Sequence, residues 1–192
     1  MRNVVLGVTS VADYYQLFGI PRSLNLSPDV LQQRYYDLSR QLHPDRFMRS
    51  SEAERQRALD MSSALNDAYR TFKDPVKRAQ YLLALEGFDI GEQRSKDVPP
   101  ELLEEVFELN MALEEMRSGD DTVRPQLEKA QNDFKNVLTS IDGVVAELFK
   151  VYDELQSREV LEEIRGFLNQ RKYYQNLLSE VERALVPATH GN

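Results

Sequence analysis

His43, Pro44 and Asp45 stand side by side in SRQLHPDRF, residues 39–47, and the only other histidine, His190, lies among the last three residues. A histidine next to an acid has three uses: a general base, a metal ligand, or a polar loop read by another protein. A base needs a nucleophile or a substrate pocket within hydrogen-bond reach. Here the rigid Pro44 separates the two groups, and the sequence holds no G-x-S-x-G elbow, no cysteine and no glycine-rich phosphate cradle. One histidine and scattered carboxylates make no metal-ligand set. We therefore expect no catalytic residue, no metal site and no cofactor: the chain is not read as an enzyme. Two readings of the triplet remain, a simple helix stop followed by a loop, or a surface presented to a partner.

The elements that hold this triplet are helical. Asp13 can cap a short helix, YYQLFGI, which Gly19 and Pro21 end. Ser27-Pro28-Asp29 reads as a start signal, with a capping hydroxyl, proline at the first helical position and an acid near the positive helix end. Leu31, Tyr35, Leu38 and Leu42 follow at helical spacing on one face, leaving Arg34, Asp37, Arg40 and Gln41 largely outside it. Proline disfavours α geometry at His43, so this helix must stop there. Ser51 and Glu54 form an S-x-x-E capping box for a third helix, which buries Ala58, Met61, Leu65, Ala68 and Phe72. Asp74-Pro75 ends it and starts a fourth, closed by Gly87. The two long helices pair antiparallel, with HPDRFMRS as the exposed tip between them.

FDIGEQRSKDVPP then reads as a linker. Beyond it, Pro100 opens a helix reaching Met116, ended by Gly119 and Asp120. A second helix carries Leu127, Ala130, Phe134, Val137, Ile141, Val145, Leu148, Tyr152 and Leu155, and at about 1.5 Å per residue exceeds 40 Å. Gly143 inside it could mark a bend, though propensity alone would not break the helix. Ser157 should cap a third helix carrying Leu161, Ile164, Leu168, Tyr174, Leu178, Val181 and Leu185. Short connections predict an up-down-up bundle. In its first helix Leu102, Val106, Leu109, Leu113 and Met116 suffice for the core, yet Leu103, Phe107 and Met111 make a second stripe about 100° around, bordered by Glu104, Glu108 and Glu115. Periodicity leaves two outcomes for that stripe: a partner surface, or burial in an irregular bundle.

Composition excludes other classes. The 192 residues carry a formal charge of -8; residues 1–92 hold 12 Lys/Arg and 12 Asp/Glu, leaving 24 − 12 = 12 and 32 − 12 = 20 for residues 93–192. An acidic chain without a basic field argues against nucleic acid as partner. No apolar run approaches the roughly 18 residues needed to cross a bilayer. The absence of cysteine fits a reducing compartment. MRNVVLGVTSVA lacks the apolar core of a secretion signal, so a cytoplasmic location is expected.

A helix with exposed arginines, HPD at the tip of an antiparallel pair, and a long returning helix together resemble the J-domain of DnaJ-type co-chaperones. DYYQLFGIP, NDAYRTFKDPVKRAQYLLALEGFD and the acidic helical segment behind them narrow the resemblance to the HscB-type co-chaperones of iron-sulfur cluster assembly, over about residues 13–186. The resemblance implies an all-α chain: an N-terminal extension (1–12), a J-domain with an antiparallel helical hairpin (13–87), a linker (88–99), a C-terminal three-helix bundle (100–186) and a tail (187–192). It implies that His43, Pro44 and Asp45, with Arg34, Arg40 and Arg46, dock on a DnaK/HscA-type chaperone and stimulate its ATPase. It further implies that Leu103, Phe107, Glu108, Met111 and Glu115, with Tyr173 and Glu104, bind an IscU-type cluster scaffold. The alternative keeps the J-domain and gives the bundle another client or a role in dimerisation.

Overall fold

The structure, a computed structural model, describes residues 13–88 and 100–186, with the side chains of 100–105 left aside. The expected extension 1–12, nearly all of the linker 88–99 and the tail 187–192 lie outside the described residues. Among those described there are seven α-helices and no strand, and no helix is long and apolar enough to cross a membrane. The chain divides into two compact units, Met1–Phe88 and Asp89–Asn192.

The first unit contains α1 (Tyr14–Phe18), α2 (Pro28–Gln41), α3 (Glu52–Lys73) and α4 (Pro75–Leu85). Asp13 caps α1 by accepting the Tyr15 amide at 2.8 Å, and Gly19 ends it in the left-handed region at φ 61°, where a side chain would be strained. The expected capping box of α3 is present: the Ser51 hydroxyl accepts from the Glu54 amide at 3.3 Å, and the Glu54 carboxylate accepts from the Ser51 amide at 2.9 Å. Ser27 departs from expectation. It occupies the N-cap of α2, but its hydroxyl makes no capping bond. Proline in the first turn lowers the number of amide donors a cap must satisfy.

An aromatic core joins these helices. The buried Phe72 ring lies 4.6 Å from Tyr15, 5.4 Å from Phe18 and 6.2 Å from Tyr81, centroid to centroid. Such pairs contribute about 0.5–1.5 kcal/mol beyond burial alone. The Tyr81 hydroxyl accepts the Tyr14 amide at 2.8 Å, and burial pushes this phenol above its usual pKa. Arg78, buried on α4, donates to the Phe72 carbonyl at 2.7 Å and so caps the end of α3. Arg22 bridges the buried Asp13 carboxylate (2.9 Å) and Glu86 (2.6 Å), tying the start of the unit to its end.

The second unit contains α5 (Pro100–Arg117), α6 (Arg124–Leu155) and α7 (Arg158–Leu185). The bonds between α6 and α7 fix an antiparallel register: Arg171 grips Asp142 at 2.6 and 3.3 Å, Lys135 pairs with Glu182 at 3.7 Å, and Arg124 donates to the Leu185 carbonyl at 3.3 Å. One core cluster packs Leu109, Ala112 and Leu113 of α5 against Leu127 and Phe134 of α6 and Val181 of α7. At about 25 cal/mol per Å² of apolar area, each such Leu or Phe contributes about 1.5–3 kcal/mol.

Helix α6 runs through Gly143 without a break, as expected, since one glycine costs only about 1 kcal/mol in a helix otherwise held by packing. Three details differ from the sequence expectation. The Ser157 hydroxyl bonds the Glu159 carboxylate and makes no backbone cap for α7. Phe149 and Leu177 are buried although neither was on the expected stripes. Leu155 is 65% exposed, because a 3.5-residue repeat drifts about 20° per heptad around a straight helix and turns the stripe off the buried face.

Candidate interaction sites

In the first unit, α2 closes at Leu42, whose amide bonds the Leu38 carbonyl at 2.9 Å. His43 then takes extended geometry (φ -60°, ψ 130°) and caps a short 3-10 helix, Pro44–Phe47. The conformation is what a residue before proline prefers. The His43 Nδ1 accepts the Asp45 amide at 3.3 Å, and the same nitrogen lies 3.4 Å from Asp45 Oδ2. In the neutral ring that leaves the proton on Nε2. The Asp45 carboxylate is 77% exposed and makes no other ion pair among the described residues.

The six residues assigned to this surface are not all equivalent. The Arg46 guanidinium reaches the Arg40 carbonyl at 3.5 Å, and the Arg46 amide bonds the His43 carbonyl at 3.0 Å, so Arg40 and Arg46 frame the triplet. Arg34 lies nine residues back along α2, roughly 13 Å away in helix rise. There it donates to the Phe18 carbonyl at 3.2 Å, helping to hold α1. Met48, 70% exposed within the tip HPDRFMRS, is a further apolar residue there that the sequence reading does not assign to this surface. Its signal was an unbranched apolar side chain following HPDRF outside any stripe, and such a side chain adapts well to a partner.

In the second unit, α5 presents two faces. Leu109 and Leu113 are buried, Val106 and Met116 are half-buried against them, and Ala112, too small to stand out in the sequence, completes the packed face. Opposite them Phe107 is 65% and Met111 52% exposed, one helical turn apart. Glu108 and Glu115 are exposed and form no ion pair among the described residues. The Leu103 and Glu104 side chains lie outside the described residues. Tyr173 on α7 is half-buried against the core cluster, its ring 6.3 Å from that of Tyr174. Phe107 and Met111 thus form an exposed apolar ridge beside acids, while Tyr173 packs partly against the core and stays partly accessible. The described residues hold no cluster of three or more His, Asp or Glu able to bind a metal.

Residues 13–81 match the family of the DnaJ domain, and residues 98–182 match the family described as the HSCB C-terminal oligomerisation domain. The chain is similar to the solved structure of the human co-chaperone protein HscB, with 26% identity and a TM-score of 0.65 over 92% of this chain and 84% of that one. It is also similar to the chaperone HscB from Vibrio cholerae, with 29% identity and a TM-score of 0.63 over 89% of this chain and 96% of that one. The J-domain implies an Hsp70-type chaperone as partner. With both family matches in tandem and these structural relatives, the chain belongs to the HscB-type J-domain co-chaperones.

Proposed function

We propose that the chain is a non-enzymatic adaptor which holds an IscU-type iron-sulfur scaffold on its C-terminal bundle, delivers it to an HscA/DnaK-type chaperone and stimulates that chaperone's ATPase through the HPD loop. The observation that carries the scaffold half is the exposure of Phe107 and Met111 on α5, directly opposite a complete buried face. An apolar pair left in water beside acids suits a partner with an apolar contact and basic rim. The chaperone half is supported by the exposed Asp45 carboxylate at the end of a loop stiffened by Pro44 and framed by Arg40 and Arg46. A carboxylate held this way meets a partner arginine with little ordering cost, and the arginines steer encounter with an acidic surface.

On this proposal residues 13–87 form the chaperone-docking module and 100–186 the scaffold-binding one, joined by 88–99, in a cytoplasmic protein. Calorimetry with the scaffold tests the second module. Leu103→Ala with Phe107→Ala should weaken binding by about 2–4 kcal/mol, as truncated hot-spot residues do. Unchanged affinity would return the ridge to a structural role. The family description of the C-terminal segment as an oligomerisation domain favours a second reading, self-association through the bundle. Sedimentation at micromolar concentration separates the two, since the adaptor is expected to be a monomer without its partners.

A further inference from the structure

Helix α6 carries an apolar track whose distal part neither the core nor the α5 ridge uses. Val137, Val144 and Val151 recur every seven residues, and Leu148 and Leu155 follow the same repeat four residues on. Together they make the 3-4 spacing of a coiled-coil seam. Earlier members of the seam, Phe134 and Ile141, are buried; Val137 and Leu148 are half-buried; Val144, Val151 and Leu155 are exposed. The drift of a 3.5-residue repeat on a 3.6-residue helix accounts for this progression.

The length of α5 accounts for the rest. A groove of about 480 Å³ opens between α5 and α6, lined by Glu108 and Leu109 on one side and by Lys129, Asp133, Phe134 and Val137 on the other. This places Leu109 beside residues 130–137 of α6. Helix α5 begins only nine residues before Leu109, at Pro100, so an antiparallel α5 gives out near residue 143. The groove and the exposed seam lie end to end on one face of α6, and from Val137 to Leu155 they extend about 27 Å.

Charge selects the occupant. Glu108 and Asp133 line the groove and Glu147 and Glu154 border the seam, against Lys129 and Lys150. Lys150 and Glu147 neutralise each other at 2.7 Å, and of the remaining charges Glu108, Asp133 and Glu154 form no ion pair among the described residues, against Lys129 alone. A second copy of this chain would bring the same acids to the same face, and like charges across an interface oppose it. We infer that this face of α6 docks a basic amphipathic helix of a partner protein, its apolar stripe in the groove and seam and its Lys and Arg residues against the bordering acids. The track meets the border of the α5 ridge at Glu108, whereas Phe107 itself stands about 100° around α5 from that residue.

The test uses the full chain and a labelled helical peptide of about three heptads, with leucine at the seam positions and Lys/Arg beside them. Fluorescence anisotropy should show binding at least tenfold tighter than for a scrambled peptide of equal charge, or for one with Glu in place of Lys/Arg. Val144→Arg with Val151→Arg, both at exposed positions, should keep the circular dichroism of the native chain and weaken binding tenfold or more. Phe107→Ala should leave it within about twofold. Equal binding of the scrambled peptide, or undiminished binding by the double arginine variant, would overturn the inference. So would loss of binding in Phe107→Ala, or a dimer in sedimentation that the arginine variant dissociates, which would give the face to a second copy.

Discussion

The HPD tip and the α5 ridge expose very different chemistry, and each is held by a different kind of support. At the tip, backbone geometry does the positioning: Pro44 fixes its own φ, His43 is extended, and the Asp45 amide is tied to the histidine ring. The ridge has no such local device. Phe107 and Met111 are held in place because Leu109, Ala112 and Leu113 on the other side of the same helix are packed into the bundle. A short polar loop can therefore be rigid by covalent constraint, whereas an apolar surface borrows its rigidity from a core.

That contrast can be broken by substitutions on the two sides of α5. Leu113→Ala should cost about 2–5 kcal/mol of stability in denaturant unfolding, as cavity-forming truncations do. Phe107→Ala with Met111→Ala should change stability by less than about 0.5 kcal/mol while weakening scaffold binding by about 2–4 kcal/mol. A large stability loss in the second variant would show that the ridge is part of the core. At the tip, Arg40→Ala with Arg46→Ala should slow association with the chaperone by roughly threefold to tenfold at low salt. The difference should vanish as the Debye length shrinks toward about 3 Å near 1 M salt. A salt-independent defect would mean that the arginines serve the loop's conformation instead.

The smallest expected effect concerns the helix that returns from the tip. Glu54 accepts hydrogen bonds from the Ser51 amide and hydroxyl, which hold its carboxyl below the usual range. Its folded pKa is depressed, so its contribution is present above the ordinary glutamate value and is lost as pH falls through the folded one. The protection of the amides at the start of α3, measured by hydrogen exchange relative to the intrinsic rate at each pH, should therefore fall on acidification, and Glu54→Gln should remove that dependence. An unchanged pH response in the variant would exclude the capping carboxylate as its source.

How much of this was legible in the sequence follows from the range of the forces involved. Asp13, Gly19, the Ser51–Glu54 box and Gly87 act within a turn, and their signals are carried by neighbouring residues. Ser27 and Ser157 show the limit of that logic, because a hydroxyl at the right position still has a choice of partners. The triplet at 43–45 was visible as a loop, but the split between the tip arginines and Arg34 was not, since the Phe18 carbonyl that claims Arg34 is sixteen residues away. Periodicity left the Phe107–Met111 stripe undecided between surface and core. Only the buried face opposite it, with Ala112 included, shows that the bundle needs no more from α5. Leu155 was assigned to the core because heptad drift becomes visible only when the neighbouring helices are in place.

The central claim is that the tip acts on a chaperone while the ridge holds a scaffold. It is tested most directly by the steady-state ATPase rate of an HscA-type chaperone with scaffold, titrated with wild-type protein and with His43→Gln. Wild type should raise the rate at least tenfold, and His43→Gln should fall to the unstimulated rate while still binding scaffold with wild-type affinity. Equal stimulation by the two proteins would contradict the account.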